Sequence, residues 1–156
     1  MSFEYKKGNL LTSNCEYICH QVNCQGVMGS GIAKQIRETY PYVYTQYLAL
    51  KDKMSLKLML GYIQIVPITA TDCSKHIINM FAQEYYGYDK KQYTSYDAFY
   101  NCLVKIKRWV PKGATIGFPY RIGSDRGGAN WDVIESMIKS LLEEDYTVEI
   151  YVWEGK

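Results

Sequence analysis

The chain has 156 residues, 47% apolar and 22% charged, with 12 glycines and 4 prolines. This length suits one folded unit, residues 1–156, because domains most often run to ~100–150 residues, and the apolar content excludes a disordered or collagen-like chain. Eighteen Lys and Arg against sixteen Asp and Glu leave a formal charge of +2, too small for the electrostatic footprint of a duplex-binding protein, so nucleic acid is not an expected partner. Residues 3–6 and 17–23 read as the first two strands. A helix follows, with Ile32, Ala33, Ile36 and Tyr40 on one face and Pro41 as its stop. Tyr44, Tyr47, Leu48 and Met54 mark a second helix. Strands are expected at 62–67 and 76–82. Tyr96, Phe99, Leu103, Ile106 and Val110 then step by three and four behind a possible capping box, Thr94 with Asp97. A strand at 115–119 precedes a helix that begins at Asn130, a good N-cap, and buries Val133, Ile134, Met137, Ile138, Leu141 and Leu142. Residues 147–153 make the last strand.

Strands alternating with helices of this length imply an α/β fold: a three-layer α/β/α sandwich around a mixed, largely parallel six-stranded sheet. The five cysteines, Cys15, Cys19, Cys24, Cys73 and Cys102, are an odd number, and the first residues lack the apolar stretch of a signal peptide, so a cytoplasmic protein with free thiols is expected. No apolar run approaches the ~18 residues of a membrane span, and the cysteine spacings match no zinc pattern, so neither membrane nor metal is expected. Tyrosine is abundant, with 16 copies, and suits the half-buried walls of a ligand pocket.

Ligands of open α/β sheets bind beyond the carboxyl ends of the strands, and two strand ends here carry unusual loops. After the second strand comes Cys24-Gln25-Gly26-Val27-Met28-Gly29-Ser30-Gly31-Ile32-Ala33-Lys34, three glycines opening directly into a helix. Glycine permits close backbone approach, and a helix start offers unpaired N–H groups and positive potential, which together make an anion cradle. A tight strand-to-helix turn is the plainer alternative. Gly26 and Gly31 have Walker A spacing, but Ile32 and Ala33 stand where Lys and Ser/Thr belong, so a P-loop is excluded. The order Gly26-x-x-Gly29-x-Gly31 also reverses the Rossmann fingerprint. After the fifth strand comes Tyr120-Arg121-Ile122-Gly123-Ser124-Asp125-Arg126-Gly127-Gly128-Ala129-Asn130, again just before a helix. Two such loops in one small domain can grip both sides of a diphosphate through backbone amides.

These residues resemble a macrodomain, the ADP-ribose-binding module, and in particular the branch that contains ADP-ribose 1''-phosphate phosphatases and glutamate-specific ADP-ribosyl hydrolases. Lys7-Gly8-Asn9-Leu10-Leu11 is similar to the family's first signature, His20-Gln21-Val22-Asn23-Cys24 with residues 26–33 to its ribose-phosphate loop, and residues 123–128 with Trp131 to its second phosphate loop. The resemblance implies Gly8, Asn9 and Leu10 beside adenine, although most macrodomains have Asp where Asn9 stands. It implies Asn23 at the distal ribose hydroxyls. Gly26, Val27, Met28, Gly29, Ser30, Gly31, Ile32 and Ala33 would follow the diphosphate and distal ribose. On the other side it implies Pro119, Tyr120, Ile122, Gly123, Ser124, Asp125, Arg126 and Gly127, with Tyr120 either stacked on adenine or ribose or packed on the surface.

The chemistry implied by the resemblance is less complete. Gln83 and Gly127 stand where the glutamate-specific hydrolases carry a catalytic Lys and Asp, and Ala33 stands where other macrodomain hydrolases carry an Asp. What remains for a metal-independent, cofactor-free hydrolysis is His20, Asn23, Gln83 and Asp125. His20 has the titration range of a general acid or base, or is simply a satisfied strand residue. Gln83 opens an aromatic segment, Glu84-Tyr85-Tyr86-Gly87-Tyr88, which is either a lid over the distal ribose or an ordinary connection. The expected function is ADP-ribose binding with hydrolysis of a 1''-phosphate or an ADP-ribosyl linkage; the alternative is a non-catalytic reader of ADP-ribose or ADP-ribosylated proteins. Gly29→Glu and Gly127→Glu are both expected to abolish binding with little effect on melting.

Overall fold

The computed structural model describes residues 1–29, 31–68, 74–87, 89 and 91–153. Six strands, β1 (Ser2–Lys7), β2 (Tyr17–Val22), β3 (Ile63–Pro67), β4 (His76–Phe81), β5 (Thr115–Pro119) and β6 (Thr147–Val152), form one sheet in the order β1-β6-β5-β2-β4-β3. Every neighbouring pair is parallel except β3 with β4. Strand β4, between β2 and the edge strand β3, is buried along almost its whole length because both of its faces are covered.

Helices α1 (Gly31–Thr39) and α2 (Pro41–Lys53) lie on one face, and α4 (Tyr96–Trp109) and α5 (Trp131–Leu142) on the other; a short α3 (Leu56–Met59) precedes β3. Strand alternation divides the core between them. Cys19, Ile78, Met80, Ile116, Phe118, Val148 and Ile150 pack under α4 and α5. Ile18 and Ile77 meet Ile36 and Val43, and Val22 and Phe81 meet Tyr47 and Met28, on the α1/α2 side. Cys15, Cys19, Cys24 and Cys102 are buried free thiols; Cys73 lies outside the described residues. Among the described residues no helix is long and apolar enough to cross a membrane.

Two local expectations need correction. The N-cap of α4 is Ser95, whose hydroxyl accepts from the Ala98 N–H at 3.1 Å, whereas Thr94 turns its hydroxyl into the loop region described below. Val133 is 43% exposed rather than buried: the stripe Ile134, Ile138 and Leu142 faces the sheet, Met137 and Leu141 flank it, and position 133 lies ~100° around the helix from 134. Asn130 does cap α5, its Oδ1 accepting from the Asp132 N–H at 2.8 Å.

Candidate functional site

β2 and β5 are neighbours, so the two glycine loops leave adjacent strand ends and face each other across a cleft of about 340 Å³. Its volume falls within the range of small-molecule sites.

The first loop is shaped from below. The Asn23 side chain, at the end of β2, accepts from the Gln25 N–H at 2.9 Å and donates to the Val27 carbonyl at 2.8 Å. The fully buried Tyr47 of α2 accepts from the N–H groups of Gly26 and Val27 at 3.0 and 3.1 Å, and its hydroxyl lies 2.7 Å from the Asn23 carbonyl. Gly26 has φ +83°, and a Cβ there would press on Leu48 and Lys51 of α2. Met28 is fully buried and anchors the loop in the core. Asn23 and Val27 already face the cleft, and its wall continues at Gly29, Gly31, Ile32 and Ala33, where α1 begins. The first N–H groups of a helix have no intrahelical acceptor, so this wall presents donors and the positive end of the α1 dipole. Ser30 lies outside the described residues.

The second loop is wound tightly enough to exclude side chains. Arg121 has φ +64°, unusual for a residue with a side chain. Its guanidinium closes the turn, donating to Asp125 Oδ1 at 2.9 Å and to the Ser124 carbonyl at 3.3 Å. Ser124 itself is buried. A Cβ on Gly127 would lie 2.5 Å from the Gly123 carbonyl oxygen and would also collide with the Thr94 hydroxyl.

A polar cluster joins these parts. Gln21 Nε2 donates to Gln83 Oε1 and to Thr94 Oγ1, both at 2.7 Å, and Thr94 donates to the Gly123 carbonyl at 2.7 Å. Gln83 spends its own amide N–H on the Tyr85 carbonyl at 2.7 Å. Gln21 Oε1 is buried without a partner.

The cleft therefore collects Asn23, Val27, Gly29, Gly31, Ile32, Ala33 and Gln83 with Pro119, Tyr120, Ile122, Gly123, Asp125, Arg126 and Gly127. It does not collect His20. That ring is fully buried on the α1/α2 face, paired with Asn79 Oδ1 at 2.5 Å, and burial lowers its pKa to about 4. Asn79 passes the chain on to Gln64 at 2.9 Å, and Gln64 to the Gln46 carbonyl of α2 at 2.8 Å. His20 is thus part of a buried polar seam between strands and helix. Gly8, Asn9 and Leu10 also stand apart from the walls: Leu10 is core, and Asn9 Oδ1 accepts from the Leu11 N–H at 3.0 Å, capping a short turn. Gly26, Met28 and Ser124 support the loops rather than line the cleft.

Sequence reasoning missed Gln21, Val22 and Arg121 as wall residues, and Tyr86 and Gly87 enter the wall from the aromatic segment; Tyr88 lies outside the described residues. The signal for Gln21 was available, since a lone polar residue two positions past Cys19 on an apolar strand points to the α4/α5 face with nothing apolar to do there. Nothing in the sequence marked Arg121.

Comparison with known proteins is consistent with this architecture. A DNA ADP-ribosyl glycohydrolase of Mycobacterium tuberculosis (strain ATCC 25618 / H37Rv) is 28% identical over 149 residues, which is 96% of this chain and 41% of that protein. The chain thus spans well under half the length of that relative. The solved macrodomain of Mycobacterium tuberculosis DarG superposes with a TM-score of 0.73 at 26% identity, covering 96% of each chain. A structure of Thermosipho africanus DarTG in complex with ADP-ribose superposes at 0.75 with 18% identity, covering 95% of this chain and 41% of the other. The family model described as Macro domain matches residues 19–138, a span that holds both glycine loops and the cleft between them, and this chain belongs to the Macro domain family.

Proposed function

We propose that the cleft binds ADP-ribose and that the protein hydrolyses ADP-ribosyl derivatives. The observation that carries the reading is the pair of glycine loops facing one cleft from adjacent strand ends. The diphosphate is placed between the α1 start, at Gly29, Gly31 and Ile32, and the backbone of Gly123 to Gly127, where N–H donors can meet it at close range. The distal ribose then extends toward Asn23, Gln83 and Tyr86, and the adenosine toward Pro119 and Tyr120.

Among the described residues the walls hold no His, Lys or Cys, and Asp125 is their one carboxylate. Hydrolysis therefore rests on Asp125 orienting water toward the anomeric carbon, with the loop amides holding the charge of the nucleotide. Preorganised donors of this kind commonly contribute ~10²–10³-fold each. The names of the relatives add DNA-linked ADP-ribose to the substrates worth testing, alongside ADP-ribose 1''-phosphate and ADP-ribosylated protein.

One observation favours a second reading. Gln83 stands where the resemblance puts the catalytic lysine of the glutamate-specific hydrolases, and both ends of its amide are committed, to Gln21 and to the Tyr85 carbonyl. A site so lacking in nucleophiles suits a reader that binds and holds ADP-ribosylated partners. Incubation with the three substrates, following phosphate and ADP-ribose release, separates the two. Turnover above an Asn23→Ala control supports the hydrolase; micromolar ADP-ribose binding in calorimetry with no turnover supports the reader; and absence of binding overturns both.

A further inference from the structure

We infer that Tyr47 is a positioning residue for the nucleotide site: its buried hydroxyl fixes the first half of the glycine loop, at Gly26 and Val27, and through Asn23 the distal-ribose end of the cleft, while the diphosphate wall beyond Met28 is held by the start of α1. The inference rests on the ADP-ribose reading above and deepens it. Tyr47 is fully buried, one helix away from the cleft, and lines none of its walls. Yet its hydroxyl meets the loop at four polar atoms. It accepts from Gly26 and Val27 at 3.0 and 3.1 Å, and its own proton points at Asn23, 2.7 Å from the carbonyl oxygen and 2.8 Å from Oδ1. Tyr44, one turn earlier, donates to the Gly26 carbonyl at 3.1 Å. The ring of Tyr47 stacks on Phe81 of β4, inclined by 30° with centroids 5.7 Å apart, which holds the ring beneath the loop.

The result divides the loop. The N–H groups of Cys24, Gln25, Gly26 and Val27 are all spent, on the Glu84 carbonyl, on Asn23 and on Tyr47. Beyond the buried Met28 the cleft-facing backbone at Gly29, Gly31, Ile32 and Ala33 is left at a helix start, where donors are free by geometry. A loop with its first half unsatisfied could turn those amides inward and Asn23 with them. Tyr47 removes that option, because buried polar groups left without partners are costly.

The test is Tyr47→Phe, which keeps the ring and deletes only the oxygen. Amide hydrogen exchange followed by NMR should find Gly26 and Val27 protected in the native protein; in the variant Gly26 should exchange at least ~10-fold faster, and Val27, whose N–H also reaches Asn23 Oδ1 at 3.4 Å, should lose less, with the central strands unchanged. In calorimetry the variant should bind ADP-ribose about tenfold more weakly, the loss expected for one well-placed hydrogen-bonding group. Binding of ADP, which lacks the distal ribose, should change far less. Tyr44→Phe, which removes one bond at a half-buried carbonyl, should stay near the native values for both ligands. Equal losses for ADP-ribose and ADP, or unprotected Gly26 and Val27 amides in the native protein, would overturn the assignment to Tyr47. If the native protein binds no ADP-ribose while both amides are protected and Gly26 is released in Tyr47→Phe, the functional reading falls and the loop-setting role stands.

Discussion

Gly29 and Gly127 occupy comparable places in their loops but differ in what surrounds them. A Cβ on Gly29 meets nothing closer than a Val27 methyl at 3.5 Å, at an ordinary φ. Gly29→Glu should therefore melt within a degree or so of the native protein while losing ADP-ribose binding, since an anion would stand in the diphosphate position. A Cβ on Gly127 lies 2.5 Å from the Gly123 carbonyl, so even Gly127→Ala must distort the second loop. It should destabilise the protein by ~1–3 kcal/mol, the usual range for forced overpacking, and Gly127→Glu cannot be the neutral blocking variant that the sequence suggested. Thermal melts of the three variants beside calorimetric titrations check both statements. At His20 the sign of the pH effect is fixed by burial. Its folded pKa of about 4 lies below the unfolded ~6.5, so between those values the unfolded chain binds the extra proton. Stability should fall as pH drops from ~6.5 toward ~4, by on the order of 3 kcal/mol from this residue. Urea unfolding at pH 7 and pH 4.5 should show a smaller fall in His20→Gln than in the native protein; an equal fall would remove His20 from the account.

Among the elements, one device joins a helix end to a strand start. Tyr146, just before β6, is fully buried and donates to the Val110 carbonyl at the end of α4 at 2.7 Å. Tyr146→Phe leaves that carbonyl without its partner and should cost ~1–2 kcal/mol with no change in ADP-ribose affinity, the reverse of the pattern expected for Gly29→Glu. Most of these elements were legible in the sequence, because period-two and period-3.6 patterning declare themselves over five to fourteen residues. All six strands fall where the apolar runs placed them, and the two glycine loops sit at the strand ends from which they were read. What escaped was set by single hydrogen bonds between distant positions. Ser95 and Thr94 are adjacent and both could cap α4; the choice turns on Thr94 reaching Gly123, 29 positions on. His20 and Gln21 are neighbours on one strand, and only the face each takes decides that the first belongs to a buried seam and the second to the cleft. Tyr47 reads as an ordinary member of an apolar helical stripe, since its ring does what such a stripe requires and only its oxygen does more.

At the scale of the molecule, binding and folding are linked. A ligand that engages only the folded state stabilises it by RT ln(1 + [L]/Kd), ~2.7 kcal/mol at a hundredfold excess over Kd. For a chain of this size that corresponds to a rise in melting temperature of roughly 5–11 °C with ADP-ribose; differential scanning fluorimetry at rising ligand concentration should show it in the native protein and not in Gly29→Glu.

The cluster of Gln21, Gln83 and Thr94, and the Tyr47 hydroxyl on the other face, fasten both loops to a rigid sheet before any nucleotide arrives. With these anchors in place ADP-ribose should enter at a rate governed by encounter, and variants of the rim should scarcely alter that rate. Differences in affinity among them should instead appear as differences in residence time, measurable by stopped-flow displacement of a fluorescent analogue.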